Sequence, residues 1–159
     1  MKDIYKETCE FLGFEMTKTV MQQILKSPFE IERTKKGEHI DAILEVEILK
    51  MKFKIGIEIK MLTKDIYIKE KKVTQSLECK DKYNLDAVLF FAFVGLHDLY
   101  VYRMSDIEKG ECGECVYKTQ LIDYENPENG SYNKPTFKLD KDKALHHYTF
   151  WLCKNTMKK

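Results

Sequence analysis

The chain has 159 residues, of which 43% are hydrophobic, 12% aromatic and 33% charged, and its formal net charge is +1. This composition is typical of a globular protein and excludes the fibrous and disordered classes. The small net charge excludes attraction to nucleic acid over the whole surface, but residues 50–83 carry ten lysines against five acidic residues.

The length predicts a single domain spanning residues 1–159. The longest apolar run, AVLFFAFVG, is too short to cross a bilayer, so no membrane association is expected. The first residues lack the apolar core of a signal peptide, and five cysteines fit reduced thiols. We therefore expect a cytoplasmic protein.

The hydrophobic periodicity predicts an α/β order of elements up to residue 104. Helices are predicted at residues 2–12, 17–26 and 64–83, with Gly13 ending the first. Strands are predicted at residues 29–34, 39–47, 52–61, 87–94 and 99–104. The strand at 87–94 is almost entirely apolar, which is typical of a strand covered on both faces.

The last third of the chain has weaker patterns. A strand is predicted at residues 116–123, a loop at 125–134 and a terminal helix at 145–153, capped by Asp140 or Asp142 and with Trp151 packed inward. His146 and His147 fall on this helix, where a packing role is expected.

The stretch HIDAILEVEILKMKFKIGIEIKM, residues 39–61, predicts a hairpin in one register. With Ile48 opposite Met51, one face pairs only apolar residues, namely Ile40 with Ile59, Ala42 with Ile57, Leu44 with Ile55 and Val46 with Phe53. The other face pairs opposite charges, Glu45 with Lys54 and Glu47 with Lys52. The turn is the weak point, because Leu49-Lys50 is not a preferred hairpin sequence.

The same register places Asp41 opposite Glu58, which is a repulsive pair of carboxylates. A divalent cation removes this repulsion, and carboxylate oxygens are ligands that Mg²⁺ prefers. Lys60 shares the strand face of Glu58 because residues two apart on a strand point the same way. An ammonium group there can stabilise developing negative charge or orient a water molecule. A solvated sheet edge with no function is the alternative.

Asp41, a gap of sixteen residues, Glu58-Ile59-Lys60, a helix and the strand DAVLFFAFV together resemble the PD-(D/E)xK nuclease superfamily, which includes restriction endonucleases and Holliday-junction resolvases. The resemblance implies a restriction endonuclease-like core over about residues 2–104, with a central mixed β-sheet flanked by helices, and a C-terminal extension over residues 105–159. It implies Mg²⁺, with Mn²⁺ as a substitute, bound by Asp41 and Glu58, and Lys60 assisting the nucleophilic water. The chain departs from the motif at Ile40, where the superfamily's name has proline.

Other residues are candidates for supporting roles under this resemblance. Many members of the superfamily add an acid from the first helix, and the candidates here are Asp3, Glu7 and Glu10. Some place a glutamine and a tyrosine four residues apart after the motif, whereas here Cys79 follows Gln75 at that spacing. Phosphate contacts are predicted for the helix after the motif, by Lys69, Lys71, Lys72, Gln75, Lys80 and Lys82.

The sequence therefore predicts a metal-dependent nuclease, with DNA as its partner and a homodimer where two strands are cut. Two alternatives stay open: a catalytically inactive module of the same fold that binds nucleic acid or a protein, and a structural subunit whose acidic pair is filled by a lysine. Cys112 and Cys115 form a lone C-x-x-C, for which incidental thiols are favoured over zinc, or over an iron–sulfur cluster that adds Cys9 and Cys153.

Overall fold

The computed structural model describes residues 2–119 and 133–150. The helices are α1 (Lys2–Ile24), α2 (Glu70–Lys82) and α3 (Met104–Glu108), with a 3₁₀ turn at Lys141–Lys143. The strands are β1 (Phe29–Arg33), β2 (Ala42–Ile48), β3 (Met51–Leu62), β4 (Ile66–Lys69), β5 (Ala87–Val94), β6 (Asp98–Arg103), β7 (Gly113–Thr119), β8 (Asn133–Leu139) and β9 (His146–Thr149). No helix within these ranges is both long and apolar enough to span a bilayer.

The strands form a six-stranded mixed sheet and a smaller three-stranded sheet. The order in the larger sheet is β1-β2-β3-β5-β6-β9, in which β3 and β5 are parallel and the other neighbours are antiparallel. The smaller sheet has the order β4-β8-β7. A central mixed sheet with helices confirms the predicted α/β class.

The core lies in two layers, one on each face of the larger sheet. On one face α1 packs Phe14, Met16 and Val20 against β2, β3 and β5. On the other face α2, α3 and the smaller sheet cover β5 and β6. Strand β5 contributes side chains to both layers, Phe90 to one and Phe91 to the other. Its continuous apolar sequence follows from this double coverage, as predicted.

The β2–β3 hairpin has the predicted register. The ladder runs from Ala42 opposite Ile57 to Ile48 opposite Met51, and includes both predicted pairs of opposite charge. The predicted pairs Ile40–Ile59 and Asp41–Glu58 are not part of it, because Ile40 belongs to the core layer opposite that of Ala42 and the regular alternation of faces ends at Ala42. The connection is a two-residue turn in which Leu49 and Lys50 have φ angles of 52° and 65°. The strands thus keep their register although neither residue prefers positive φ.

The prediction of two helices separated at Gly13 is wrong, because α1 continues from Lys2 to Ile24. Gly13 is buried, and a Cβ atom at this position would lie 3.0 Å from Cγ2 of Ile59 on β3. The glycine therefore allows the helix to approach the sheet closely, and it does not end the helix.

Two further predicted helices are corrected by the structure. Residues 66–69, predicted as the start of a helix, form β4, because Ile66 and Ile68 are buried and the strand pairs with β8. Residues 146–149, predicted as part of a terminal helix, form β9 and pair with β6. Asp140 does act as a cap, but for the 3₁₀ turn, where it accepts a hydrogen bond from the backbone N–H of Asp142. Trp151 and most of the predicted loop at 125–134 lie outside the described residues.

Candidate active site

Asp41 stands where the loop after β1 enters β2. Its backbone N–H donates to the carbonyl of Ile57 (2.8 Å), and its carboxylate Oδ2 accepts a hydrogen bond from the backbone N–H of Ile59 (2.7 Å). The regular ladder stops at the pair of Ala42 and Ile57. The side chain of Asp41 thus replaces a backbone partner at the end of the ladder, and this fixes its carboxylate beside β3.

Glu58 is the buried member of the predicted pair, with 7% of its surface exposed. The pKa of Glu58 is raised to about 9, first by burial and then by the charge of Asp41 and a hydrogen bond with its carboxyl group. Lys72 opposes these effects by lowering the pKa of Glu58. The carboxyl groups of Asp41 and Glu58 therefore lie close together, as predicted, but they meet beyond the end of the ladder and not as a cross-strand pair of the register.

One oxygen of Glu58 lacks a hydrogen-bond partner. Oε2 is buried, and the amino group of Lys72 lies 3.2 Å away, within ion-pair distance but without the angles of a hydrogen bond. Two adjacent carboxyl groups with an unsatisfied oxygen fit a hard divalent cation, which binds oxygen ligands and keeps several waters. Across residues 2–119 and 133–150, no cluster of three or more histidine, cysteine, aspartate or glutamate side chains has metal-binding geometry. Protein ligands to such a cation would therefore be Asp41 and Glu58.

Lys60 is on the same strand as Glu58, and its amino group contacts the backbone of β4. It is exposed, and Nζ donates to the carbonyl of Tyr67 at 3.1 Å. Lys60 lines a cavity of about 450 Å³ that it shares with Asp41 and Glu10. Its side chain is thus a neighbour of Asp41, whereas the ammonium group at Glu58 belongs to Lys72.

Asp41 and Glu58 line a cleft of about 870 Å³ between α1 and the loop that joins β1 to β2. The cationic residues of this cleft are Lys6, Arg33, Lys35, Lys36 and Lys72. Among the first-helix acids, Glu7 and Glu10 also line the cleft, and the side chain of Asp3 lies outside the described part of the chain. With Glu38, five acidic and five cationic residues line the cleft. Arg33, Lys35 and Lys36 form its cationic wall, which can contact a phosphodiester backbone.

The cationic wall is not predicted from the sequence, which indicates phosphate contacts on α2 instead. Residues 29–34 are predicted as a strand and Lys35-Lys36-Gly37 as a turn, and this pattern assigns no binding role to the cationic residues Arg33, Lys35 and Lys36. Of the predicted contacts, Lys72 lines the cleft, and Lys82 is paired with Glu38 at 2.8 Å. Four others do not line it, namely Lys69, Lys71, Gln75 and Lys80. Their contact with nucleic acid stays a prediction.

Among the residues that the structure describes, no cysteine or histidine lines this cleft. Cys112 is buried, whereas Cys115 is exposed and its Sγ lies 3.5 Å from Oε2 of Glu70. Cys9 is on α1, and Cys153 lies outside the described residues. His147 stacks on Tyr100, and its Nε2 lies 2.9 Å from a carboxylate oxygen of Asp98.

The fold is similar to that of Hjc, a Holliday-junction resolvase of the archaeal hyperthermophile Archaeoglobus fulgidus. The TM-score is 0.51 and the sequence identity 10%, and the match covers 91% of this chain and 95% of Hjc. No protein-family model matches the chain, and no curated protein matches it in sequence. At this identity the likeness concerns the fold alone, which is restriction endonuclease-like, as predicted.

Proposed function

We propose that this protein is a metal-dependent nuclease that hydrolyses phosphodiester bonds, with DNA as its substrate. The observation that carries the proposal is the meeting of Asp41 and Glu58 in a cleft that also has a cationic wall. The resolvase-like fold supports a nuclease at the level of architecture. A nuclease of this kind needs carboxylates to bind a metal and cations to bind phosphates, and the cleft has both.

Each part of the site has a role in this proposal. Asp41 and Glu58 would hold Mg²⁺, or Mn²⁺ in its place, which supplies a Lewis acid and a water of lowered pKa when bound. Lys60 adds positive charge beside Asp41, where it assists the nucleophilic water or the developing oxyanion. Arg33, Lys35 and Lys36 bind the phosphates on either side of the scissile bond and so orient the substrate.

The direct experiment measures cleavage of plasmid, single-stranded DNA and a four-way junction, with Mg²⁺, with Mn²⁺ and with a chelator. We expect metal-dependent cleavage by the wild type and a loss of at least about 100-fold in Asp41→Ala, because the ligand pair is broken. Lys60→Ala is expected to cleave slowly while it still binds DNA. Lys109→Ala is the matched control, since it removes an exposed lysine that does not line the cleft and has no predicted contact with nucleic acid. Equal activity in all four chains would contradict the assigned site.

A second candidate is the catalytically inactive module of the same fold, which binds nucleic acid or a protein. The contact between Lys72 and Glu58 favours it, because an ammonium group then satisfies the acidic pair without a metal. Salt-sensitive DNA binding without cleavage of any substrate, and without binding of Mn²⁺, would support this module over the nuclease.

A further inference from the structure

Lys72 approaches the acidic pair from a different element than Lys60. It is the third residue of α2, its side chain is one-third exposed, and its Nζ lies 3.2 Å from Oε2 of Glu58. This is the buried oxygen that has no hydrogen-bond partner. Lys60, the lysine expected at the site, donates instead to the carbonyl of Tyr67.

The contact between Lys72 and Glu58 has the features of an exchangeable pair. Removing two charged groups from water is costly, and the cost is recovered only where hydrogen bonds accompany the ion pair. Here Nζ of Lys72 and Oε2 of Glu58 are at ion-pair distance, but the contact lacks the angles of a well-formed hydrogen bond. A divalent cation held by Asp41 and Glu58 would bind the same oxygen, Oε2 of Glu58, and would add positive charge beside the ammonium group of Lys72. The two cations therefore compete for Glu58.

We propose that Lys72 is an exchangeable cation, whose ammonium group lies against Oε2 of Glu58 in the metal-free protein and leaves it when a divalent cation binds to the ionised carboxyl group. This inference rests on the metal site of the proposed function. Lys72 also lines the cleft, so its released ammonium group joins Arg33, Lys35 and Lys36 on the cationic wall. Lys72 is then a positioning residue that couples metal binding to the binding of phosphate.

The first test is calorimetric titration with Mn²⁺ at one pH and low salt. We expect Lys72→Met to bind Mn²⁺ more tightly than the wild type by about fivefold or more, because a repelling charge is gone. Lys72→Arg keeps the charge and is expected to bind no more tightly than the wild type. Lys71→Met, the exposed neighbour on α2, is the matched control for loss of one lysine. Asp41→Asn is expected to lose the binding.

The second test uses the wild type and needs no variant at Lys72. Acylation of lysine amines, quantified for each residue by mass spectrometry, is compared with and without Mn²⁺. We expect the reaction of Lys72 to become several-fold faster with Mn²⁺, while Lys71 stays unchanged. The acceleration is expected to disappear in Asp41→Asn. An unchanged rate at Lys72 while the wild type binds Mn²⁺ would overturn the exchange.

The outcomes separate this inference from the proposed function. Unchanged Mn²⁺ affinity in Lys72→Met, with binding that still requires Asp41, would overturn the exchange and leave the metal site. If Lys72→Met binds Mn²⁺ and the wild type does not, the exchange does not occur in the native protein, and the inactive module is favoured. Exchange without cleavage of any nucleic acid would support the role of Lys72 and overturn the nuclease. No Mn²⁺ binding by any chain would overturn both.

Discussion

The carboxylate of Asp41 accepts a hydrogen bond from the backbone N–H of Ile59 at 2.7 Å, and this bond joins the entrance of β2 to the residue that follows Glu58. It places two carboxyl groups side by side in a partly buried setting, where their repulsion costs stability. Asp41 therefore has a structural role and a proposed metal-binding role, and variants can separate them.

Asp41→Asn keeps an oxygen that can accept the bond from Ile59, whereas Asp41→Ala removes it. We expect Asp41→Ala to lower the free energy of unfolding by about 1–2 kcal/mol, since a backbone donor loses its partner. Asp41→Asn should be no less stable than the wild type, because it also removes the charge that opposes Glu58. Urea unfolding with a chelator present measures both, and equal stability of the two variants would contradict the structural role.

The stability of the metal-free protein should fall as the pH rises. The pKa of Glu58 is about 9 in the folded protein against an ordinary value of 4.5, mainly because of burial and then of Asp41. The folded state thus binds more protons, so this contribution is fully present below about pH 4.5 and is lost on the way to pH 9. The wild type should lose on the order of a few kcal/mol of unfolding free energy over this pH range, and Glu58→Gln should not show this loss. Urea unfolding at pH 5, 7 and 9 tests this, and parallel profiles of the two chains would refute it.

Gly13→Ala should destabilise the protein, although alanine is the better helix former. In an ordinary helix interior this change gains about 1 kcal/mol. Here the new Cβ would lie 3.0 Å from Cγ2 of Ile59, so we expect a net loss of about 1–2 kcal/mol. Gln23→Ala, at an exposed position of α1, is the control and should be neutral or slightly stabilising. Thermal unfolding of both variants provides the comparison, and a gain in Gly13→Ala would argue against close packing of α1 on β3.

Replacement of Leu49-Lys50 by Asn-Gly should stabilise the β2–β3 hairpin. Both native residues have positive φ, which costs roughly 1 kcal/mol for a residue with a Cβ atom and almost nothing for glycine. We expect the double variant to gain about 1–2 kcal/mol of unfolding free energy. Mn²⁺ affinity is measured alongside and should stay unchanged, because the turn is at the far end of the ladder from Asp41.

The salt dependence of DNA binding shows whether phosphates are bound by the lysines of the cleft or by the lysines of α2 that do not line it. We expect Lys35→Ala/Lys36→Ala to lower the slope of log affinity against log salt by about 2, because both residues line the cleft. The matched pair, Lys71→Ala/Lys80→Ala, should change the slope less. Fluorescence anisotropy with a labelled duplex, without divalent metal, gives both slopes. A larger change of slope in Lys71→Ala/Lys80→Ala would favour the phosphate contacts that the sequence predicts on α2.

The sequence by itself determined the hairpin and the carboxyl pair. Apolar residues on one face and the pairs Glu45–Lys54 and Glu47–Lys52 on the other permit one register, because a shift by one residue would exchange the two faces. That register, extended by one residue, predicts that Asp41 and Glu58 meet, and in the structure they meet just beyond the ladder, where Asp41 accepts a hydrogen bond from Ile59. The apolar run of β5 likewise predicted a strand covered on both faces.

Tertiary contacts decided the rest, because they join residues that are distant along the chain. Gly13 continues a helix since Ile59 lies against it, and Ile66 and Ile68 form a strand since β8 offers an edge to pair with. Lys72 reaches Glu58 from α2, which is distant from β3 along the chain. Local periodicity contains no information on such approaches, which depend on how helices and sheets pack against each other.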